Sequence, residues 1–123
     1  MERVIGLGGP FSKVKDPKAM AEWYQKHLGI KFEGTCSVWP FRDGQEGFNI
    51  FTLFDENSKY FAPSESKVMV NFIVKDLFGV LEKLKAEGVE LVGEPMDEEY
   101  GKFGWVLDPE GNKIELWEPP AGQ

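Results

Sequence analysis

Apolar positions along the chain change period in a regular way. Residues 4–14 carry short β-favouring runs, and the stretch from Pro17 to Leu28 then repeats at helical spacing, placing Met20, Trp23, Tyr24, His27 and Leu28 on one face. The same succession returns in the second half. Val14-Lys15-Asp16 recurs as Val74-Lys75-Asp76, and a second helical stretch follows from Leu77 to Glu87, with Leu77, Val80, Leu81 and Leu84 on its stripe. Asp16 and Asp76 suit helix N-caps, Pro17 suits the first helical position, and Gly29 and Gly88 suit left-handed C-terminal caps. The pattern predicts strands at 4–14, 30–35, 37–42 and 47–54, then at 67–75, 89–93, 102–107 and 112–118. Asp43-Gly44 and Glu110-Gly111-Asn112 supply turns between the last two strands of each half.

The expected organisation is an α+β domain spanning 1–123. It holds a β-α-β-β-β module over about 3–54, a polar connector over 55–66, and a second such module over about 67–118, with a frayed tail after Pro119. A ferredoxin-like arrangement would leave the aromatic-rich hairpins at 36–54 and 100–118 without a place.

Composition narrows the class. Hydrophobic residues at 41% and aromatics at 14% are too many for intrinsic disorder, and no run nears the roughly 20 apolar residues of a membrane-spanning helix. A net charge of −7 repels phosphate backbones, which argues against a nucleic-acid partner, and without a spanning run no membrane partner is expected. The single cysteine, Cys36, makes no internal disulfide and has no neighbouring His or Asp in sequence to activate it; the first residues lack the apolar core of a secretory signal. A cytoplasmic location is expected.

Val14-Lys15-Asp16-Pro17 through Trp23-Tyr24 to Leu28-Gly29, and above all Asp108-Pro109-Glu110-Gly111-Asn112-Lys113-Ile114-Glu115-Leu116, carry a resemblance. Over nearly its whole length the chain resembles the vicinal oxygen chelate superfamily, which holds glyoxalase I, bleomycin-resistance proteins, fosfomycin-resistance proteins and extradiol dioxygenases. The resemblance implies an eight-stranded open barrel curled around a central cleft, helices outside, and a homodimer. It also implies a divalent cation held by His, Gln or Glu from the first and last strands of each module. Carried onto this sequence, those positions are Gly9, Phe51, Met69 and Glu115, of which only Glu115 offers an oxygen. No metal and no cofactor are therefore expected. His27, the only histidine, lies on the first helix and is expected to be a partly buried packing residue.

The two-residue period of strands assigns the cleft. Phe11 and Lys13 should face it with Gly9; Asn49 and Leu53 with Phe51; Asn71 and Ile73 with Met69; Phe103 and Leu107 with Trp105; and Trp39 is the counterpart of Trp105. The ligand-binding residues expected are thus Phe11, Lys13, Trp39, Phe51, Met69, Asn71, Phe103, Trp105 and Glu115. Such an aromatic trough with a few orienting polar groups suits a small apolar or aromatic molecule. Two other functions remain open. One is a glyoxalase-like lyase, isomerase or dioxygenase working through a metal. The other is a metal-independent acid–base enzyme with Glu115 as the candidate catalytic residue, assisted by Lys13 or Tyr100. The acidic stretch Glu94–Glu99 is expected to be a solvated loop.

Overall fold

Both helices open as the sequence predicts. In the computed structural model, which describes residues 3–40 and 48–121, α1 (Pro17–Leu28) begins where the Asp16 carboxylate accepts from the Ala19 N–H, and Gly29 closes it at φ 69°. In α2 (Leu77–Ala86) Asp76 accepts from the Gly79 N–H. These caps satisfy N–H groups that have no partner inside the helix.

The strands are β1 (Val4–Val14), β2 (Cys36–Pro40), β3 (Phe48–Asp55), β4 (Val68–Val74), β5 (Met96–Glu98), β6 (Gly101–Leu107) and β7 (Lys113–Glu118). They form one curled sheet in the order β2-β3-β1-β4-β7-β6-β5. The two halves meet where β1 pairs antiparallel with β4, Phe11 opposite Met69 and Gly9 opposite Asn71. On either side the arrangement repeats: β3 runs parallel to β1 as β7 runs parallel to β4, and β2 and β6 lie outside them, antiparallel.

The described sheet therefore has seven strands rather than eight. At 30–35 only a bridge between Glu33 and Cys36 forms, because Gly34, at φ 63°, turns the chain back on itself there. At 89–93 Leu91 bridges Val106, Gly93 at φ 67° interrupts the strand, and pairing with β6 resumes as β5. The expected solvated loop at 94–99 thus contains a short edge strand, although its residues are exposed as foreseen. The turn expected at Asp43-Gly44 lies outside the described residues.

Apolar side chains sort to the two faces of the sheet. Toward α2, Val74, Leu77, Val80, Leu81, Val106 and Leu116 form one buried cluster. On the opposite face, Phe11, Phe61, Met69 and Trp105 form the other. α1 packs through Ala21 and through Tyr24, whose ring stands edge-on to Phe51 at 5.3 Å. Its buried stripe is rotated from the one expected: Trp23 is 51% exposed, Leu28 and His27 face solvent, and the His27 ring rests on Trp23 instead of packing inside. No helix among the described residues is long and apolar enough to cross a membrane.

Candidate functional site

The Asp108-Pro109-Glu110-Gly111-Asn112 turn sets the start of β7. The Asp108 carboxylate accepts from the backbone N–H groups of Glu110 and Asn112 and from the Asn112 amide, and Gly111 takes φ 82°. From this turn the strand period carries Lys113, Glu115 and Trp117 to the concave face and Ile114 and Leu116 to the helix face.

Glu115 lies between Asn71, its partner on β4, and Trp105, its partner on β6. It is 1% exposed. The Asn71 amide donates to Oε2 at 2.7 Å, the Trp105 indole N–H donates to Oε1 at 3.1 Å, and the Tyr60 hydroxyl also donates to Oε1. A buried carboxylate is tolerated when its lone pairs are filled in this way. Burial nonetheless raises the Glu115 pKa, against the opposing pull of the Tyr60, Asn71 and Trp105 donors and of the Lys113 charge. Gly8 makes room for the amide: a Cβ there would stand 1.8 Å from Asn71 Oδ1.

Tyr60 comes from the connector. Its ring stacks on Phe54 (5.4 Å, 15°) and meets the edge of Trp105 (6.0 Å, 90°). Burial, and then the Glu115 charge, raise its pKa, so the phenol keeps its proton and donates it. The Lys113 ammonium holds the segment by donating to the Tyr60 carbonyl at 2.6 Å, and it lies over the Tyr60 and Trp105 rings. Burial lowers the Lys113 pKa, opposed by Glu115. Phe61 is wholly buried against Phe11, Met69 and Trp105, with the Lys13 ammonium 5.0 Å from its ring centre.

Of the residues expected in the cleft, Phe11, Met69, Asn71, Trp105 and Glu115 come together, with Phe103 half-buried beside them and Lys13 at the rim. Phe51 and Trp39 do not. Ile50 and Phe54 are the β3 residues that pack on the aromatic cluster, so Phe51 points the other way, onto Tyr24 and Phe32. By the same alternation Asn49 and Leu53 are turned from the trough. Trp39, opposite Asn49 on the edge strand, shares their face and is exposed. Carrying the last-strand ligand position back onto Phe51 placed β3 one residue out of step, and one residue reverses every side chain of a strand. Tyr100, 61% exposed, rests on Phe103. Tyr60 and Phe61 were missed. The available signal was an adjacent Tyr-Phe pair in an otherwise polar connector.

The residues present do not fit the divalent cation that the resemblance implies. Gly9 sits at φ 147°, and a Cβ there would stand 1.7 Å from the Ile50 carbonyl oxygen, leaving no space for a ligating side chain. Phe51 faces α1; Thr52, which the observed register puts in its place, donates to Cys36 Sγ at 3.3 Å; Met69 lies in the apolar cluster; and both Glu115 oxygens already accept hydrogen bonds. Among the described residues, no three His, Cys, Asp or Glu side chains are grouped to hold a metal. A separate surface pocket of about 740 Å³ lies outside the trough, lined in part by Lys13, Met20, Trp23, Tyr24 and Lys67.

Comparison with known proteins agrees with this architecture. An uncharacterized Bacillus subtilis protein, YetH, is 41% identical over 54 residues, which is 44% of this chain and 45% of that protein. Thus the match spans less than half of that relative's length. Among solved structures, methylmalonyl-CoA epimerase from Mycobacterium tuberculosis superposes with a TM-score of 0.68 at 23% identity, covering 98% of this chain and 91% of that one. A Streptomyces coelicolor methylmalonyl-CoA epimerase variant in complex with 2-nitronate-propionyl-CoA gives 0.73 at 18% identity, covering 96% and 99%. At such identities the likeness shows the fold. The family model of the Glyoxalase/Bleomycin resistance protein/Dioxygenase superfamily matches residues 12–116, and the chain belongs to that superfamily.

Proposed function

We propose that this chain binds a small, flat apolar or aromatic molecule in the concave trough without the help of a metal ion. One observation carries this: rings from four separate segments wall a single buried carboxylate whose hydrogen-bond partners are all neutral. Apolar walls supply affinity, and one polar group at the floor sets orientation. Tryptophan fluorescence tests it. In the presence of EDTA, 2-naphthol and indole should give a saturable change that is lost in Trp105→Phe. A response that appears only after zinc, nickel, manganese, iron(II) or magnesium is added would overturn it.

A second function has one observation in its favour. Burial raises the Glu115 pKa, as suits a general base for a proton beside a carbonyl. If Glu115 works in this way, Glu115→Gln abolishes deuterium exchange from solvent into bound acetophenone while leaving its binding in place. Exchange that persists in the variant rules it out. We also propose a homodimer in the cytoplasm. Val4 and Leu7 on β1 and Val68 on β4 are exposed apolar side chains on adjacent strands, and a second copy would cover them. Sedimentation equilibrium should give twice the monomer mass, and a monomer at all concentrations would refute the dimer.

A further inference from the structure

We infer that the ligand of the trough is a phenol, or an aromatic ring with an equivalent N–H donor, and that it enters by displacing the Tyr60 side chain, which holds the ligand's place in the free chain. This rests on the trough being the binding site, and it names what the trough selects.

Tyr60 is not part of the sheet. The backbone hydrogen bonds of its connector are local turns: Ser58 N–H to Asp55 O, Ala62 N–H to Lys59 O and Ser64 N–H to Phe61 O. Its hold on the trough runs instead through the Tyr60 hydroxyl on Glu115, the Phe61 ring in the cluster and Lys113 on the Tyr60 carbonyl. The two aromatic residues differ in exposure. Phe61 is 0% exposed and anchors the segment, whereas Tyr60 is 37% exposed and can leave by rotation about its own side-chain bonds. The chain thereby displays the recognition in full: a ring stacked on Phe54, edge-on to Trp105, with its O–H on a carboxylate that water barely reaches.

When Tyr60 swings out, Glu115 Oε1 keeps the Trp105 indole but loses the phenol. An entering ring without a donor leaves that loss uncompensated, and a buried acceptor short of partners discriminates strongly between ligands. Aromatic carboxylates are disfavoured further by the Glu115 charge. Selection therefore falls on aromatic donors such as phenols and anilines.

The test uses p-cresol, which is the tyrosine side chain itself. Tyr60→Ala should bind p-cresol by calorimetry and be stabilised by it on heating, while toluene and 4-methylanisole bind at least about tenfold more weakly. The native chain should show the same order of preference but bind p-cresol about tenfold more weakly than Tyr60→Ala, because Tyr60 competes for the place. The native titration stands even if the variant fails to fold. Toluene binding as tightly as p-cresol, or equal p-cresol affinity in the two folded chains, would overturn the inference and leave the trough as a general aromatic site. Failure of every aromatic probe to bind either folded chain would remove the trough function itself.

Discussion

Tyr60→Phe removes a single oxygen and keeps the ring stacked on Phe54 and against Trp105. What is lost is the hydroxyl that donates to Glu115 Oε1. A hydrogen bond to a charged group contributes about 1.5–3 kcal/mol. Glu115 is 1% exposed, so water replaces the donor poorly, although the partly exposed Tyr60 ring admits some solvent nearby and favours the lower half of that range. The cost depends on pH, and its sign follows from the carboxyl. Burial already raises the folded pKa of Glu115 above 4.5, and loss of a donor raises it further. A group of this kind contributes stability that is fully present below its unfolded pKa and is lost as pH rises through its folded pKa. The deficit of Tyr60→Phe should therefore be small near pH 4.5 and grow to about 2 kcal/mol at pH 8. Urea denaturation of both chains at several pH values measures it, with unchanged slopes indicating the same unfolded state. A loss under about 0.5 kcal/mol at pH 8, or one that does not vary with pH, would refute the proposed burden on Glu115.

Glu115→Gln should flatten the fall in stability that the native chain shows as pH rises from about 4.5, since the amide does not ionise; parallel pH profiles for the two chains would contradict this. Phe61→Ala should cost about 3–5 kcal/mol in urea melts, as a wholly buried ring in the trough, whereas Tyr100→Ala at an exposed site should stay within about 0.5 kcal/mol; equal effects would mean that the connector is not part of the core. Gly9→His, which puts a ligating side chain of the implied kind at that position, should lower stability by more than about 2 kcal/mol and create no zinc affinity, because the backbone and the Ile50 carbonyl leave its side chain no space. Calorimetric zinc binding by that variant would refute the misfit.

Where local chemistry decides the conformation, the sequence was legible. Asp16, Pro17 and Gly29 bound α1 as expected, and β4, β6 and β7 turned Asn71, Trp105 and Glu115 into one site as their alternation foretold. Errors arose where two local solutions were equally good. The α1 stripe was partly rotated because Trp23 and Leu28 are as apolar as the Ala21 position that tertiary contact selected beside Tyr24. On β3, apolar residues occupy both faces, Ile50 and Phe54 on one and Phe51 and Leu53 on the other, so alternation alone gave no register. Tyr60 was hidden for a different reason. A turn-rich connector has no periodicity, and nothing local says that its aromatic pair folds 55 residues away onto Glu115.

The most direct test of the account is a crystal structure of the native chain grown with p-cresol. The cresol ring should lie between Phe54 and Trp105 with its hydroxyl on Glu115, Tyr60 rotated outward and Phe61 unmoved. Tyr60 still in place, with the cresol absent or seated in the pocket beside Trp23 and Met20, would contradict it.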